Sequence, residues 1–165
     1  MENKDDLEQV KRALRTVAQR HNMSDAQLDA QGGLELELCD GRTLCLEYLD
    51  ARGKLFLHTP LTPLPADTLK RQAMLEQALR MNCLETAAEG SVAVLDVHGK
   101  TLLLQTALAA AAIDADGLDR AMSRLLEQRD GVLSKLTAGA AKPAAPGASA
   151  ARKGWAGLRL AGRPA

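Results

Sequence analysis

The stretch from Leu69 to Leu108 constrains the fold more than any other part of the sequence, because it predicts one helix and one β-hairpin that each carry apolar residues on two sides. Helical spacing gives the helix two neighbouring apolar stripes, which contain Leu75, Leu79 and Cys83 and Met74, Ala78 and Met81, respectively. Both hairpin strands have apolar residues at odd and even positions, so each strand offers apolar surface on both faces. One small domain cannot easily bury all of this surface. The pattern therefore indicates a protein that works by contact with itself and with other chains.

Length and composition predict one domain followed by a tail. A chain of 165 residues is long enough for one domain with a real core and too short for two full domains. Leucine is abundant, whereas the aromatic residues number three: Tyr48, Phe56 and Trp155. Aliphatic packing must therefore supply nearly all of the hydrophobic stabilisation, at about 25 cal/mol per Å² of buried apolar surface.

The charges divide the chain after Thr137. Residues 1–137 contain every acid and have a formal net charge of −5, whereas residues 138–165 contain five bases and no acid. Most of these last residues are Ala, Gly or Pro, which predicts a disordered basic tail after a domain at 1–137. The acidic domain argues against nucleic acid as a partner. Within the tail, Trp155, Leu158 and Leu160 form a small apolar cluster that suits either a docking motif or a mobile chain end.

Hydrophobic periodicity and turn signals predict an α+β fold with the element order α-β-β-β-α-β-β-α, in which three helices pack on a twisted antiparallel sheet. Pro60, Pro63 and Pro65 are expected to end the third strand. Asp114 and Asp116 are candidate N-caps of the third helix. The predicted strands are 34–38, 43–49, 54–59, 92–97 and 101–108, and the helices are 5–21, 66–84 and one that includes 118–133.

The sequence offers little material for a catalytic or metal site. The three histidines, His21, His58 and His98, stand at a helix end, at a strand end and in a turn, without the partner spacing that nucleophilic catalysis needs. The three cysteines show no metal-ligand spacing, and we expect them to be buried free thiols. We therefore predict no catalytic residue, no metal and no cofactor.

The chain also lacks the sequence signals of export and membrane insertion. The first residues are polar and acidic, where a signal peptide needs a basic start and an apolar run. No stretch is apolar for long enough to cross a bilayer. We therefore expect a cytoplasmic protein without a membrane span.

The run Ala73–Leu84 (AMLEQALRMNCL) and the hairpin after it, with Val92–Asp96 (VAVLD) and Leu102–Leu104, resemble the class I type III secretion chaperones, the Tir chaperone (CesT) type family. The shared pattern is a helix that ends in L-x-x-N, a short loop, an apolar strand that ends in Asp, a turn and a Leu-rich strand. The resemblance covers about residues 5–136 and includes the preceding three-stranded meander and the acidic body. The basic tail exceeds the usual compact length of this family, and the body is less acidic than in many members.

This resemblance implies a small bacterial cytoplasmic homodimer. Such a protein binds the N-terminal segment of a secreted effector and keeps it soluble, extended and competent for export, without hydrolysing nucleotide. The export ATPase of the secretion apparatus is a further partner that the resemblance implies.

The two-striped helix suits a segment that packs on its own sheet with one side and on a twofold-related copy with the other. For that dimer contact we predict one stripe, formed by Met74, Ala78 and Met81. The two-faced strands suit a sheet that offers apolar pockets or an open edge to an extended partner. The predicted effector contacts are Leu14, Val17, Tyr48 and Phe56.

Three alternatives remain open at this point. Each predicted effector contact can instead be an ordinary core residue. The whole protein can be a non-secretory dimeric adaptor or assembly protein of similar fold, which its neighbouring genes would distinguish from a chaperone. It can also be a small thiol-dependent enzyme that uses Cys39, Cys45 or Cys83, which requires a thiol that reacts rapidly near neutral pH.

Overall fold

The structure contains the eight predicted elements in the predicted order, together with one short strand from the tail. This computed structural model describes residues 2–23, 26–84, 90–138 and 158–160. The predicted α+β class is confirmed. The helices are α1 (Glu2–Arg20), α2 (Thr68–Leu84) and α3 (Ala115–Thr137), and the strands are β1 (Gly33–Leu38), β2 (Thr43–Leu49), β3 (Lys54–Pro63), β4 (Ser91–Leu95), β5 (Thr101–Ala109) and β6 (Leu158–Leu160).

All described strands form one antiparallel sheet in the order β4-β5-β3-β2-β1-β6. The first three strands make the predicted meander, and the hairpin β4–β5 joins it through β5, which leaves β4 outermost at one end. At the other end, β6 pairs with the outer edge of β1. Leu158–Leu160, within the segment 138–165 for which a disordered tail is predicted, thus form a strand, while Trp155 lies outside the described residues.

The core lies between one face of the sheet and the helices α1 and α3. Side chains alternate across a strand, so every second residue of β2 and β3 is buried on this face. The helices close the core with apolar stripes at helical spacing. The helix residues that are at most 1% exposed are Val10, Leu14 and Val17 in α1 and Leu118, Met122 and Leu125 in α3.

Polar contacts fix the start of α3 against the end of α1. Asp114 is the N-cap of α3, as predicted, because its side chain accepts a hydrogen bond of 2.6 Å from the backbone N–H of Gly117. Asp116 does not cap the helix. It forms an ion pair with Arg20, whose hydrogen bond and charge lower the pKa of the Asp116 carboxyl.

The third strand runs four residues further than the prolines predicted, to Pro63. The register places Pro60 beyond the last residue of β3 that pairs with β2. Pro60 has no backbone N–H to donate, and the hydroxyl of the preceding Thr59 donates to the carbonyl of Thr43 at 2.7 Å. The pairing with β5 shifts register between Pro60 and Thr62, which marks a β-bulge. Prolines are tolerated here because their missing N–H groups do not face the β5 ladder.

Candidate partner-binding surfaces

Exposed apolar side chains concentrate along α2 and β4. Among the described residues, every large apolar side chain that is classed as exposed lies on α2, on β4 or in the turn after β4. Such a concentration is typical of a surface that another chain covers. The surface, which we name the apolar edge, consists of Leu69, Leu79, Val92, Leu95 and Val97, with exposed fractions of 76%, 66%, 37%, 44% and 95%.

Side chains of α2 hold this helix alongside β4. Asn82 makes two hydrogen bonds to the backbone of Ala93: its amide N–H donates to the carbonyl at 2.9 Å, and its carbonyl oxygen accepts from the N–H at 2.7 Å. One turn after the start of α2, the Arg71 guanidinium donates to the carbonyl of Gly99 at 2.8 Å. The Asn82 amide therefore pairs backbone groups that an outermost strand would leave to solvent or to another strand.

The sheet face that points away from α1 and α3, which we name the open face, has an acidic part and an apolar part. One row of neighbours crosses it from Glu35 through Cys45, His58 and Gln105 to Val92. The β1–β2 side is acidic and the β3–β5–β4 side is apolar, which suits an extended partner with both basic and apolar side chains. The acids are Glu35, Glu37 and Glu47, and the apolar residues include Phe56, Leu103, Val92 and Val94.

The centre of the open face is occupied by two groups that stay neutral near pH 7. Burial, reinforced by the charges of Glu35 and Glu47, raises the pKa of the Cys45 thiol to about 11. Burial also lowers the pKa of His58, although the same two carboxylates oppose that shift. Within the described ranges, Nδ1 of His58 is buried without a hydrogen-bond partner. Neither group provides a reactive thiolate or an imidazolium at this position.

The structure separates the four predicted effector contacts. Leu14, Val17 and Tyr48 lie in the core and are 1%, 0% and 5% exposed, so the core alternative describes these three side chains. They point into the α1–sheet contact because they belong to the apolar stripe of α1 and to the buried positions of β2. Phe56 lies on the open face, is half-buried and stands opposite Glu47 and Ala107.

The predicted dimer stripe of α2 faces the chain's own core, and the other stripe is divided, because Leu75 also packs against the core while Leu79 and Cys83 are exposed. Ala78 and Met81 of the predicted dimer stripe are buried within the chain, at 4% and 3% exposed, and Met74 packs against the core. Helical periodicity defines stripes but does not say which one faces the chain's own sheet, and here Asn82 sets that rotation by binding β4.

The other residues that could react or bind a metal do not assemble into a reactive site in the described part of the chain. Cys39 and Cys83 are exposed and Cys45 is intermediate, so the expectation of buried thiols is wrong for two of the three. His21 lies 3.0 Å from the carboxylate of Asp119, which ties α1 to α3. No group of three or more His, Cys, Asp or Glu residues among the described ones has the arrangement of a metal site. No described helix has the length and hydropathy needed to cross a membrane.

Sequence reasoning assigned no role to three residues that organise these surfaces. Asn82 and Arg71 fix α2 on the hairpin, and Arg129 donates to the carbonyl of Pro60 at 2.8 Å. Arg129 interrupts an otherwise apolar stripe of α3, which is the available signal that it has a buried polar partner. For Asn82, the corresponding signal is a polar amide side chain near the end of a helix that has two apolar stripes.

Comparison with known proteins agrees with this geometry. The model of the Tir chaperone protein (CesT) family matches residues 12–132, and no curated protein sequence is significantly similar to the chain. Several solved structures share the fold with TM-scores above 0.5, among them the three that follow.

The first is the HopA1–SchA chaperone–effector complex, with a TM-score of 0.62, 21% identity, and coverage of 79% of this chain and 97% of the other. The second is the ExoU–SpcU complex from the type III secretion system of Pseudomonas aeruginosa, with a TM-score of 0.54, 21% identity, and coverage of 74% and 95%. The third is YbjN from E. coli, described as a candidate transcription regulator, with a TM-score of 0.53, 18% identity, and coverage of 76% and 90%. The family match spans most of the chain, as the sequence pattern predicted, and the chain belongs to the Tir chaperone protein (CesT) family.

Proposed function

We propose that the chain is a type III secretion chaperone that binds the N-terminal segment of a secreted effector and keeps it soluble and competent for export. The observation that carries this proposal is the combination of family membership with two partner surfaces, the apolar edge and the open face. Two of the similar structures are complexes of this kind, the HopA1–SchA chaperone–effector complex and the ExoU–SpcU complex of a type III secretion system. The binding of an extended segment requires contact area and no chemical step, so nucleotide hydrolysis is not part of the proposed activity.

The apolar edge is the proposed homodimer contact. It presents large aliphatic side chains on an outer surface, where exposure to water is costly at about 25 cal/mol per Å². Leu79 and Leu69 lie on the outer side of α2, and Val97 is 95% exposed at the end of the β4–β5 hairpin. An isologous contact through α2 and β4 would cover the corresponding patch of both copies at once.

The open face and the β1 edge are the proposed effector contacts. Phe56 is the predicted effector residue that the fold leaves on a surface, and it stands between the acidic and the apolar parts of the open face. An extended effector segment can place alternate side chains on such a face while its backbone pairs with a strand edge. Leu14, Val17 and Tyr48 are buried in the core, so the proposed contact does not include them.

In the cell, we place this chaperone in the bacterial cytoplasm, where it would deliver its effector to the export ATPase of the secretion apparatus. The test is affinity capture of the tagged chain from its own bacterium, with the mass of the free protein measured by light scattering. We expect a dimer that retains one or a few secreted proteins and loses them when their N-terminal segments are deleted. A monomer that retains no secreted protein would contradict the proposal.

The second candidate function is a non-secretory adaptor of the same fold. It is favoured by the likeness to YbjN, which is described as a candidate transcription regulator and not as a secretion chaperone. The same capture experiment separates the two functions. An adaptor is expected to retain cytoplasmic proteins through folded domains, so the deletion of N-terminal segments from those proteins would leave their binding unchanged.

A further inference from the structure

Residues 158–160 of the tail pair with the β1 edge of the sheet, along which none of the described helices lies. The register sets Leu158, Arg159 and Leu160 opposite Leu38, Glu37 and Leu36. Twenty residues, 138–157, connect this strand to the end of α3. When fully extended, they can reach roughly 60 Å, so the tether does not restrict which surface of the same chain the strand reaches.

The backbone of β1 directs the N–H and C=O groups of alternate residues to this outer edge. The N–H of Leu38 donates to Arg42 at 2.7 Å, and the N–H of Tyr48 donates to Gly32 at 2.9 Å, so the even-numbered residues of this strand are hydrogen-bonded to β2. Because an antiparallel ladder alternates, the N–H and C=O of Glu35 and Glu37 point away from β2. β6 covers positions 36–38, and Glu35 lies beyond its end. Among the described residues, Glu35 has no strand partner on this edge, whereas the N–H and C=O of Gly33 are hydrogen-bonded to Asp29.

Charge favours a basic segment at this edge. β1 and β2 together contain three acids, Glu35, Glu37 and Glu47, and no base. The segment 138–165 contains five bases and no acid. The attraction between the two acts over about 10 Å at 0.1 M salt and weakens as salt is added.

A strand of three residues pairs weakly by itself, and attachment to the same chain compensates for this. Attachment through a short linker gives a segment an effective concentration in roughly the millimolar range. Such a segment occupies the edge when nothing else is present, but a longer partner strand with more hydrogen bonds can displace it. The pairing of β6 with β1 is therefore weak enough for a longer strand to displace it, and β6 is not a permanent part of the fold.

We propose that the outer edge of β1 is a peptide-binding edge for an extended segment with alternating apolar and basic residues, and that Leu158–Leu160 is its resident, displaceable occupant. A partner strand that binds this edge must first release β6. The inference rests on the proposed function only for the identity of that partner, which would be the effector segment.

The test uses a fluorescent peptide with the sequence of residues 156–162 and measures its binding to the full-length chain by anisotropy. The variant Arg159→Pro removes a backbone N–H from β6, and its matched control Arg152→Pro makes the same change of residue and charge outside the strand. We expect the peptide to bind Arg159→Pro at least fivefold more tightly than it binds the wild type or Arg152→Pro. The amide of Glu37 should exchange at least fivefold faster in Arg159→Pro than in the control.

Equal peptide affinity for all three proteins, or binding to none of them, would overturn the inference. A lower mass of Arg159→Pro in light scattering would also overturn it, because β6 would then pair with a second copy. None of these measurements contains an effector, so their failure leaves the capture experiment on the proposed function unaffected, and the reverse also holds.

Discussion

The sheet edges formed by β4 and β1 are covered in different ways. At the β4 end, α2 lies along the strand and the Asn82 amide takes both backbone groups of Ala93. At the β1 end, the three residues of β6 cover a strand that carries Glu35 and Glu37. An unpaired strand edge is a template for another strand. The fold covers one edge with a packed helix and the other with a three-residue strand, so we propose strand addition at the β1 end and side-chain packing at the β4 end.

The largest expected effect distinguishes the two sides of α2 at the β4 end. Ala78→Asp should lower the free energy of unfolding by roughly 3–5 kcal/mol, because the residue is 4% exposed and the carboxylate would be buried without a partner. Leu79→Asp, at the neighbouring and 66% exposed position, should leave the stability of the monomer within about 0.5 kcal/mol of the wild type. Urea unfolding measures both.

The variant Leu79→Asp also tests the apolar edge as the dimer contact. Leu79→Asp should weaken dimer formation by at least about 30-fold, which corresponds to the loss of about 2 kcal/mol at an interface. Light scattering over a dilution series measures the change, with Gln72→Asp as a control on an exposed polar position of the same helix. A dimer of unchanged affinity in Leu79→Asp would place the twofold contact elsewhere.

The next effect concerns the hydrogen bonds between Asn82 and Ala93 at the β4 edge. Asn82→Leu should lower the free energy of unfolding by about 2–4 kcal/mol, because the N–H and the C=O of Ala93 both lose their partner. Gln72→Ala, which removes a hydrogen bond to the exposed Glu76, should change it by less than about 0.5 kcal/mol. If Asn82→Leu is as stable as Gln72→Ala, the helix alone closes this edge and the contrast between the two ends weakens.

On the open face, between the two edges, Phe56→Asp should weaken effector binding by at least about tenfold, since an added carboxylate joins the acids beside it and removes apolar contact area. The dimer should remain folded, because the side chain lies outside the core between the sheet and the helices. Phe56→Leu is the control that keeps an apolar group. Unfolding of Phe56→Asp would show that this residue is structural.

The smallest expected effect is a pH dependence from the centre of the open face. The pKa of His58 is lowered in the folded chain, chiefly by burial, against the opposing charges of Glu47 and Glu35. Below its usual pKa near 6.5, the unfolded chain therefore binds more protons, and stability falls as the pH is lowered from 7.5 to 5.5. The fall should be smaller in His58→Gln than in the control His98→Gln. An identical fall in both variants would contradict this origin.

The order of the elements and the capping of α3 by Asp114 follow from local patterns that the sequence carries. Strand alternation, helix periodicity and a capping carboxylate act within a few residues, so they are visible without the fold. The end of β3 was predicted too early, since the tolerance of Pro60 depends on which neighbouring strand its missing N–H faces. That information belongs to the sheet and not to the segment.

The candidate surfaces were only partly predictable for the same reason. Of the four predicted effector contacts, Phe56 lies on the open face and the other three fill the core. Apolar residues on a helix stripe or strand face look alike in the sequence whether a helix or a partner covers them. The choice between the stripes of α2 depended on Asn82 reaching Ala93, which lies eleven residues further along the chain. The position of β6 depended on pairing between segments about 120 residues apart.

By itself, the sequence determined the class of fold, the excess of apolar surface around α2 and β4, the separation of an acidic domain from a basic tail, and the resemblance to the family. Composition and periodicity are properties of the chain, and they set how much apolar surface and charge must be accommodated. The tertiary structure alone decided which apolar residues are buried, which stripe of α2 faces outward and which sheet edge is sealed. These outcomes depend on packing and hydrogen bonds between distant segments, where one rotation of a helix exchanges buried and exposed residues.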